Sequence, residues 1–218
     1  MKSTGRLLIW ALLFTFVSLN VVAQQQQSEE EAYTQVITAR ADKIVQKLGI
    51  NDSTQYLKVR AIITDQYRAI NDHHEALDAS VKAAKKNGAD EEKIEKLKVK
   101  ADKQMDKIHD RYVSALSKNL TDGQVEQVKD GMTYSVFPNT YKAYQEMLPN
   151  LTQEQKDTIY NYLKIARERA MDAPSSDKKH AWFGKYKGKI NNYMSAQGID
   201  MNKASKEWQA RIKAAKGQ

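Results

Sequence analysis

The densest cluster of reactive side chains in the sequence is Asp72-His73-His74-Glu75, the only run in which two histidines stand with acids. On a helix, neighbours point about 100° apart, so His73 and His74 cannot chelate one metal as histidines four residues apart do, and no metal site is expected. His74 continues an apolar seam and faces the neighbourhood of Gln104 and Met105 on a partner helix, with His109 about one turn away. There it is either a core histidine satisfied by a carbonyl or Gln, or a polar group facing an inter-helix cleft. Asp72 and His73 point off the seam, towards a surface groove with Asn71 or Arg68.

Residues 24–118 hold four tyrosines and no Trp or Phe, whereas 119–218 hold seven tyrosines with Phe137, Phe183, Trp182 and Trp208. Flat aromatic faces stack on the C–H face of a pyranose while polar neighbours take its hydroxyls, and they also serve plain core packing. Two groups become candidate binding residues. Trp182, Lys185 and Lys189 flank a core stripe of Phe183, Tyr186, Ile190, Tyr193 and Gln197. A separate groove spans Tyr134 to Tyr144, where Tyr141 and Tyr144 follow the break at Phe137-Pro138-Asn139, with Arg167 and Arg169 as cationic donors. Gly184 and Gly188, four apart inside a helix, each cost up to about 1 kcal/mol relative to Ala, which predicts a close approach to that backbone, more readily by a helix than by a ligand.

Catalytic signatures are lacking. There is no Cys, no Gly-x-Ser-x-Gly elbow, no His-Glu-x-x-His pair and no phosphate-cradling glycine loop, so the expectation is a non-catalytic protein without a cofactor.

These residues need a scaffold, and the apolar spacing predicts helices only. Glu29 to Glu31 open a first helix that Gly49 stops. Asp52 or Ser53 caps a long helix through Val59, Ile63, Tyr67, Ile70, His74, Leu77 and Val81, ended by Asn87-Gly88. A third, through Ile94, Leu97, Ala101, Met105, Ile108, Tyr112 and Leu116, completes a long antiparallel hairpin over about 53–118. The half from about 119 to 218 reads as shorter helices near 122–132, 139–147, 152–171, 176–197 and 201–215, with no two-residue alternation to support a sheet. Leu120-Thr121-Asp122-Gly123-Gln124 and Leu151-Thr152-Gln153-Glu154-Gln155 read as capping boxes with the Leu as staple.

Lys2 and Arg6 precede an apolar run from Leu7 to Val17, and Val21-Val22-Ala23 provides a cleavage site: a secretory signal over 1–23, followed by one all-helical domain over 24–218. No membrane span is expected after cleavage. The protein is expected in the periplasm or outside the cell, where the absence of Cys raises no disulfide problem. The formal charge is +8, and ten basic residues against Asp177, Asp200 and Glu207 fall within 176–218. Basicity is thus a C-terminal property, suited to acidic polymers, anionic lipid or acidic proteins, with nucleic acid excluded by the compartment; the same lysines also fit a solvated face.

Leu148-Pro149-Asn150-Leu151-Thr152, Ile159-Tyr160-Asn161-Tyr162-Leu163, Lys185-Tyr186-Lys187-Gly188-Lys189-Ile190-Asn191-Asn192-Tyr193 and Ile70-Asn71-Asp72-His73-His74 carry a resemblance over roughly residues 33–210. The chain resembles an uncharacterised family, labelled sugar-binding, of secreted helical proteins from polysaccharide-degrading Gram-negative bacteria. The resemblance implies carbohydrate as partner, and the basic, aromatic half suggests an acidic plant-type glycan met during polysaccharide utilisation. The two Leu-Thr-x-x-Gln segments also resemble the LTxxQ periplasmic chaperones, which implies a chaperone-like or envelope-stress role as the alternative.

Overall fold

The computed structural model describes residues 27–217, and the signal-peptide reading lies outside the described residues. Among the described residues every regular element is a helix, and none is long and apolar enough to cross a membrane. Helix α1 covers 27–45 and tightens into a 3-10 turn, Gln46–Leu48, which Gly49 ends at a left-handed φ of 66°. The hairpin follows as α2 (Ser53–Lys86) and α3 (Glu91–Ser117). Then come α4 (Asp122–Met132), α5 (Val136–Met147), α6 (Gln153–Met171), α7 (Ser176–Ala196) and α8 (Met201–Lys216).

Local chemistry sets most of these boundaries. Asp52 accepts from the Gln55 amide and Asp90 from the Lys93 amide, so each long helix starts on an aspartate cap. Thr121 with Gln124, and Thr152 with Gln155, form complete capping boxes, and the preceding Leu120 and Leu151 are buried as staples. Both copies of the Leu-Thr-x-x-Gln segment are therefore spent on starting helices. Helix α5 departs from the expected start near 139. It begins at Val136, because a proline in the first turn, here Pro138, lacks only an amide hydrogen that the helix would not use.

The core has two hydrophobic clusters. The first gathers Ile44 and Val45 of α1, Val59 and Ile63 of α2, Tyr112 and Leu116 of α3, and Val128 and Met132 of α4. The second gathers Phe137 and Tyr144 of α5, Ile159 and Leu163 of α6, and Phe183, Ile190 and Met194 of α7, with Met201 and Ala204 of α8 against its edge. Helix α7 buries Lys179, Phe183, Ile190 and Met194, while Tyr186 and Tyr193 are half-buried and Gln197 is exposed. Gly184 and Gly188 lie on its open side. A Cβ at either would meet nothing within 4 Å, so no neighbour approaches that backbone and the expected close contact is absent.

The glycine that does permit close packing is Gly131. A Cβ there would stand 2.9 Å from Ile44 Cγ1 and 3.1 Å from Cγ2, and Ile44 is itself buried between α1 and α4. Overpacking of this kind costs about 1–3 kcal/mol, against a helix-propensity gain of about 1 kcal/mol for Ala over Gly. Gly131→Ala is accordingly expected to lower stability by roughly 1–2 kcal/mol in chemical denaturation. The loss should vanish in an Ile44→Ala background; a neutral Gly131→Ala would show that α1 yields freely.

Candidate functional site

Where α1, α2, the end of α4 and the start of α7 converge, they enclose a cavity of about 690 Å³. Helix α1 lends one stripe to it, Tyr33, Ile37, Arg40, Ile44 and Lys47, with Lys43 alongside, at the steps of three and four that keep a helical face together. Tyr67 and Asn71 of α2 form a second wall, Asp130 ends the α4 wall, and Lys179 reaches in from α7. The Tyr33 hydroxyl donates to the Tyr67 carbonyl at 3.3 Å. Burial pushes the Tyr67 phenol up to about 12, so it remains a neutral hydroxyl, and it has no hydrogen-bond partner among the described residues.

Between α4 and α5 the chain turns through two consecutive non-glycine residues in the left-handed region, Tyr134 at φ 57° and Ser135 at φ 55°. Such a conformation costs on the order of 1–3 kcal/mol per residue and persists only where surroundings enforce it. Here the Ser135 amide donates to the Asp130 carbonyl at 2.7 Å, and the Thr133 hydroxyl to the Lys129 carbonyl at 2.8 Å. The turn places Tyr134, 52% exposed, on the cavity lining, with its ring stacked on His180 at 5.7 Å.

Lys179 is buried, and its ammonium donates to the Ala170 and Met171 carbonyls at 3.1 and 3.0 Å, closing the carboxyl end of α6 where carbonyls lack helical partners. One N–H remains uncommitted. Burial lowers this amine to about 8, nearby Asp172 works against the shift, and Arg40 adds to it. Burial raises the Tyr33 phenol, Asp72 adds to that, and the Arg68 and Arg40 guanidinium groups oppose it.

Behind the cavity, buried charges fill the seam between α4 and α6. Arg167, 1% exposed, donates to Asp130 Oδ1 at 2.7 Å and to Glu126. Lys129 Nζ lies 3.0 Å from Glu168 Oε2. His109 bridges Asp172 through Nδ1 at 2.9 Å and Glu168 through Nε2 at 3.3 Å. Hydrogen bonds donated to Asp172 first and Glu168 second hold this imidazole protonated up to about 9. Burial disfavours the Glu168 carboxylate, but His109 and Lys129 outweigh it and hold Glu168 down to about 2.

The residues singled out in the sequence are distributed differently. His74 donates through Nε2 to the Asp172 carbonyl at 2.8 Å, the satisfied-histidine arrangement, and His73 stands edge-on to it while Asp72 is exposed. His74, Trp182 and Lys185 do come together, lining a second groove of about 580 Å³ with Asp78, Asp102 and Arg169. There the Lys185 ammonium lies 5.0 Å from the Trp182 ring, while Lys189 covers Tyr186 at 4.9 Å. Tyr141 packs on Phe137 and Tyr160, and Tyr144 is buried with its hydroxyl on Asn191 at 2.8 Å. Arg167 proves to be a core ion-pair residue, its guanidinium already committed, and Tyr144 a core aromatic; neither presents a group to a ligand. Among the described residues no group of three or more His, Asp or Glu is placed to hold a metal ion.

The cavity residues Arg40, Tyr67 and Lys179 escaped the sequence reading as site residues, whereas Tyr134 stood at the edge of the Tyr134 to Tyr144 groove. A signal for one existed: the α7 stripe of Phe183, Tyr186 and Ile190, extended one turn back, lands on Lys179, a lysine on a core face.

The titrations have opposite signs. The raised His109 pKa contributes stability that is complete below pH 6.5 and is lost as pH rises through about 9. The lowered Lys179 pKa makes burial costly below about 8 and relieves that cost as pH rises towards 10.5. Unfolding free energy is therefore expected to fall by roughly 1–2 kcal/mol between pH 6.5 and 8, where Lys179 does not yet compensate. Denaturant titrations across that window check it, and His109→Gln should flatten the slope; an unchanged slope would place its origin elsewhere.

A search of curated proteins finds no match to this chain. A family model described as a protein of unknown function, DUF3826, matches residues 34–214. The matched span runs from α1 into α8 and takes in Arg40, Tyr67, Asp130, Tyr134 and Lys179. The chain belongs to the DUF3826 family.

Proposed function

We propose that this is an exported, non-catalytic carbohydrate-binding protein whose ligand seats in the cavity between α1, α2, α4 and α7. The observation that carries the reading is the composition of that cavity. Tyr33, Tyr67 and Tyr134 supply aromatic surface, while the free Tyr67 hydroxyl, Asn71, Gln127, Ser175 and Ser176 line the same cavity. A sugar presents an apolar face ringed by hydroxyls, and rings alternating with short polar groups answer both. The strained turn holding Tyr134 supports the same reading, since left-handed non-glycine residues concentrate where a side chain must be aimed. The second groove is a poorer platform, because the Trp182 ring already carries Lys185 and leans on Tyr186. Export rests on the sequence at Lys2, Arg6, Leu7 to Val17 and Ala23.

Affinity electrophoresis through gels containing neutral or uronate-bearing polysaccharides tests the proposal, with retardation expected on at least one glycan. Tyr67→Phe, which keeps the ring and removes the hydroxyl, should weaken binding about tenfold, the equivalent of one lost hydrogen bond of about 1.4 kcal/mol. Unretarded migration in every gel refutes the proposal. Loss of binding in Trp182→Ala with none in Tyr67→Phe or Tyr134→Ala moves the site to the second groove.

A further inference from the structure

We infer that the cavity recognises the carboxylate of a uronic-acid residue, held between the Arg40 guanidinium at its mouth and the Lys179 ammonium at its floor. This rests on the carbohydrate reading above and names the class of sugar.

The charge of the cavity lining is unbalanced. Arg40, Lys43 and Lys47 of α1 all line the cavity, and none has a carboxylate partner among the described residues. Three other arginines do pair across helices: Arg60 with Asp42, Arg68 with Glu30, Arg169 with Asp106. The only carboxylate in the lining, Asp130, is already bound to Arg167. With Lys179 added, the lining holds four cations and no free anion. Cations brought together in a recess repel one another and raise the local potential, and an anionic ligand relieves both. The start of α7 at Ser175 and Ser176 lies on the same wall and adds the positive end of a helix dipole.

Two details point to a carboxylate on a sugar rather than a bare anion. Arg40 and Lys179 differ in kind: one is an exposed planar fork suited to two parallel bonds to a carboxylate, the other a buried point charge with a single N–H to spare. Arg40 also shares the lining with Tyr33 and Tyr67, so a ring whose carboxylate pairs with it has aromatic side chains on the same wall. A cavity of about 690 Å³ is wide enough for a sugar ring and its neighbour.

Isothermal titration of the whole protein with trigalacturonate, with the matched neutral galactose trimer and with inorganic phosphate separates the possibilities. Binding of the uronate with at least tenfold preference over the neutral trimer, reduced tenfold or more in Arg40→Gln at an unchanged melting temperature, is the expected result. Lys179→Met should reduce it likewise, with far-ultraviolet circular dichroism showing whether that variant stays folded; Arg40→Gln decides the matter if it does not. Equal affinity for the neutral trimer overturns the carboxylate inference and leaves the carbohydrate reading standing. Binding of neither trimer overturns the uronate inference, and the polysaccharide gels then decide the carbohydrate reading by themselves. Uronate binding that survives Arg40→Gln places the carboxylate elsewhere, and phosphate competing as well as the uronate reduces the site to an anion hole without sugar selectivity; either result overturns the inference.

Discussion

Arg167 is the residue on which the two halves of this protein depend. A guanidinium withdrawn from water costs several kcal/mol unless its charge and donors are matched, so the surroundings of Arg167 are not free to vary. Its partners on α4 are Glu126 and Asp130, Glu168 joins from its own helix, and Lys129 pairs with Glu126 and Glu168 beside them. The Phe137 ring covers the remaining side at 4.8 Å, so the first side chains of α5 are drawn against the same group. Arg167 Nε alone stays without a partner. The two hydrophobic clusters could slide past one another if hydrocarbon alone joined them. A paired charge seam specifies one register, because any shift would strand a buried ion.

The cavity is a consequence of that seam. With the end of α4 held through Asp130 and Lys129, the backbone between α4 and α5 has little room, and the left-handed pair Tyr134–Ser135 is how it turns. On the opposite wall, Lys179 closes the end of α6 and ties the start of α7 to it. Asp172 carries the same order outward, receiving His109 on its carboxylate and His74 on its carbonyl. The recess between these fixed points is bounded by residues whose positions are over-determined, as a preorganised binding site requires.

Much of the scaffold was legible in the chain. The starts at Asp52, Asp90, Thr121 and Thr152 and the stop at Gly49 are governed by groups within three or four residues of one another, which is the range over which spacing and capping chemistry operate. Trp182 and Lys185 share a groove because they belong to one helix face, also a local matter, and His74 joins them only through the packing of α2 against the end of α6. Gly184 and Gly188 misled, since a helical glycine signals a close approach only if a neighbour is there. Gly131, inside a shorter and less conspicuous helix, is where a neighbour stands.

What the chain decided alone was its helical class, the boundaries of most helices and the faces that turn inward, because hydrogen bonding along a helix and the burial of one apolar stripe are settled by near neighbours. What it could not decide was the fate of its charges. A cation on α1 such as Arg40 is indistinguishable in sequence from one that faces water, and Arg167 looks like a surface donor until Glu126 and Asp130, about forty residues earlier, are brought against it. The energy of a charged group depends on the dielectric and on the opposite charges around it, and both are properties of the assembled fold. Whether a lysine serves solubility, closes a helix or waits in a cavity was therefore settled only when the helices packed.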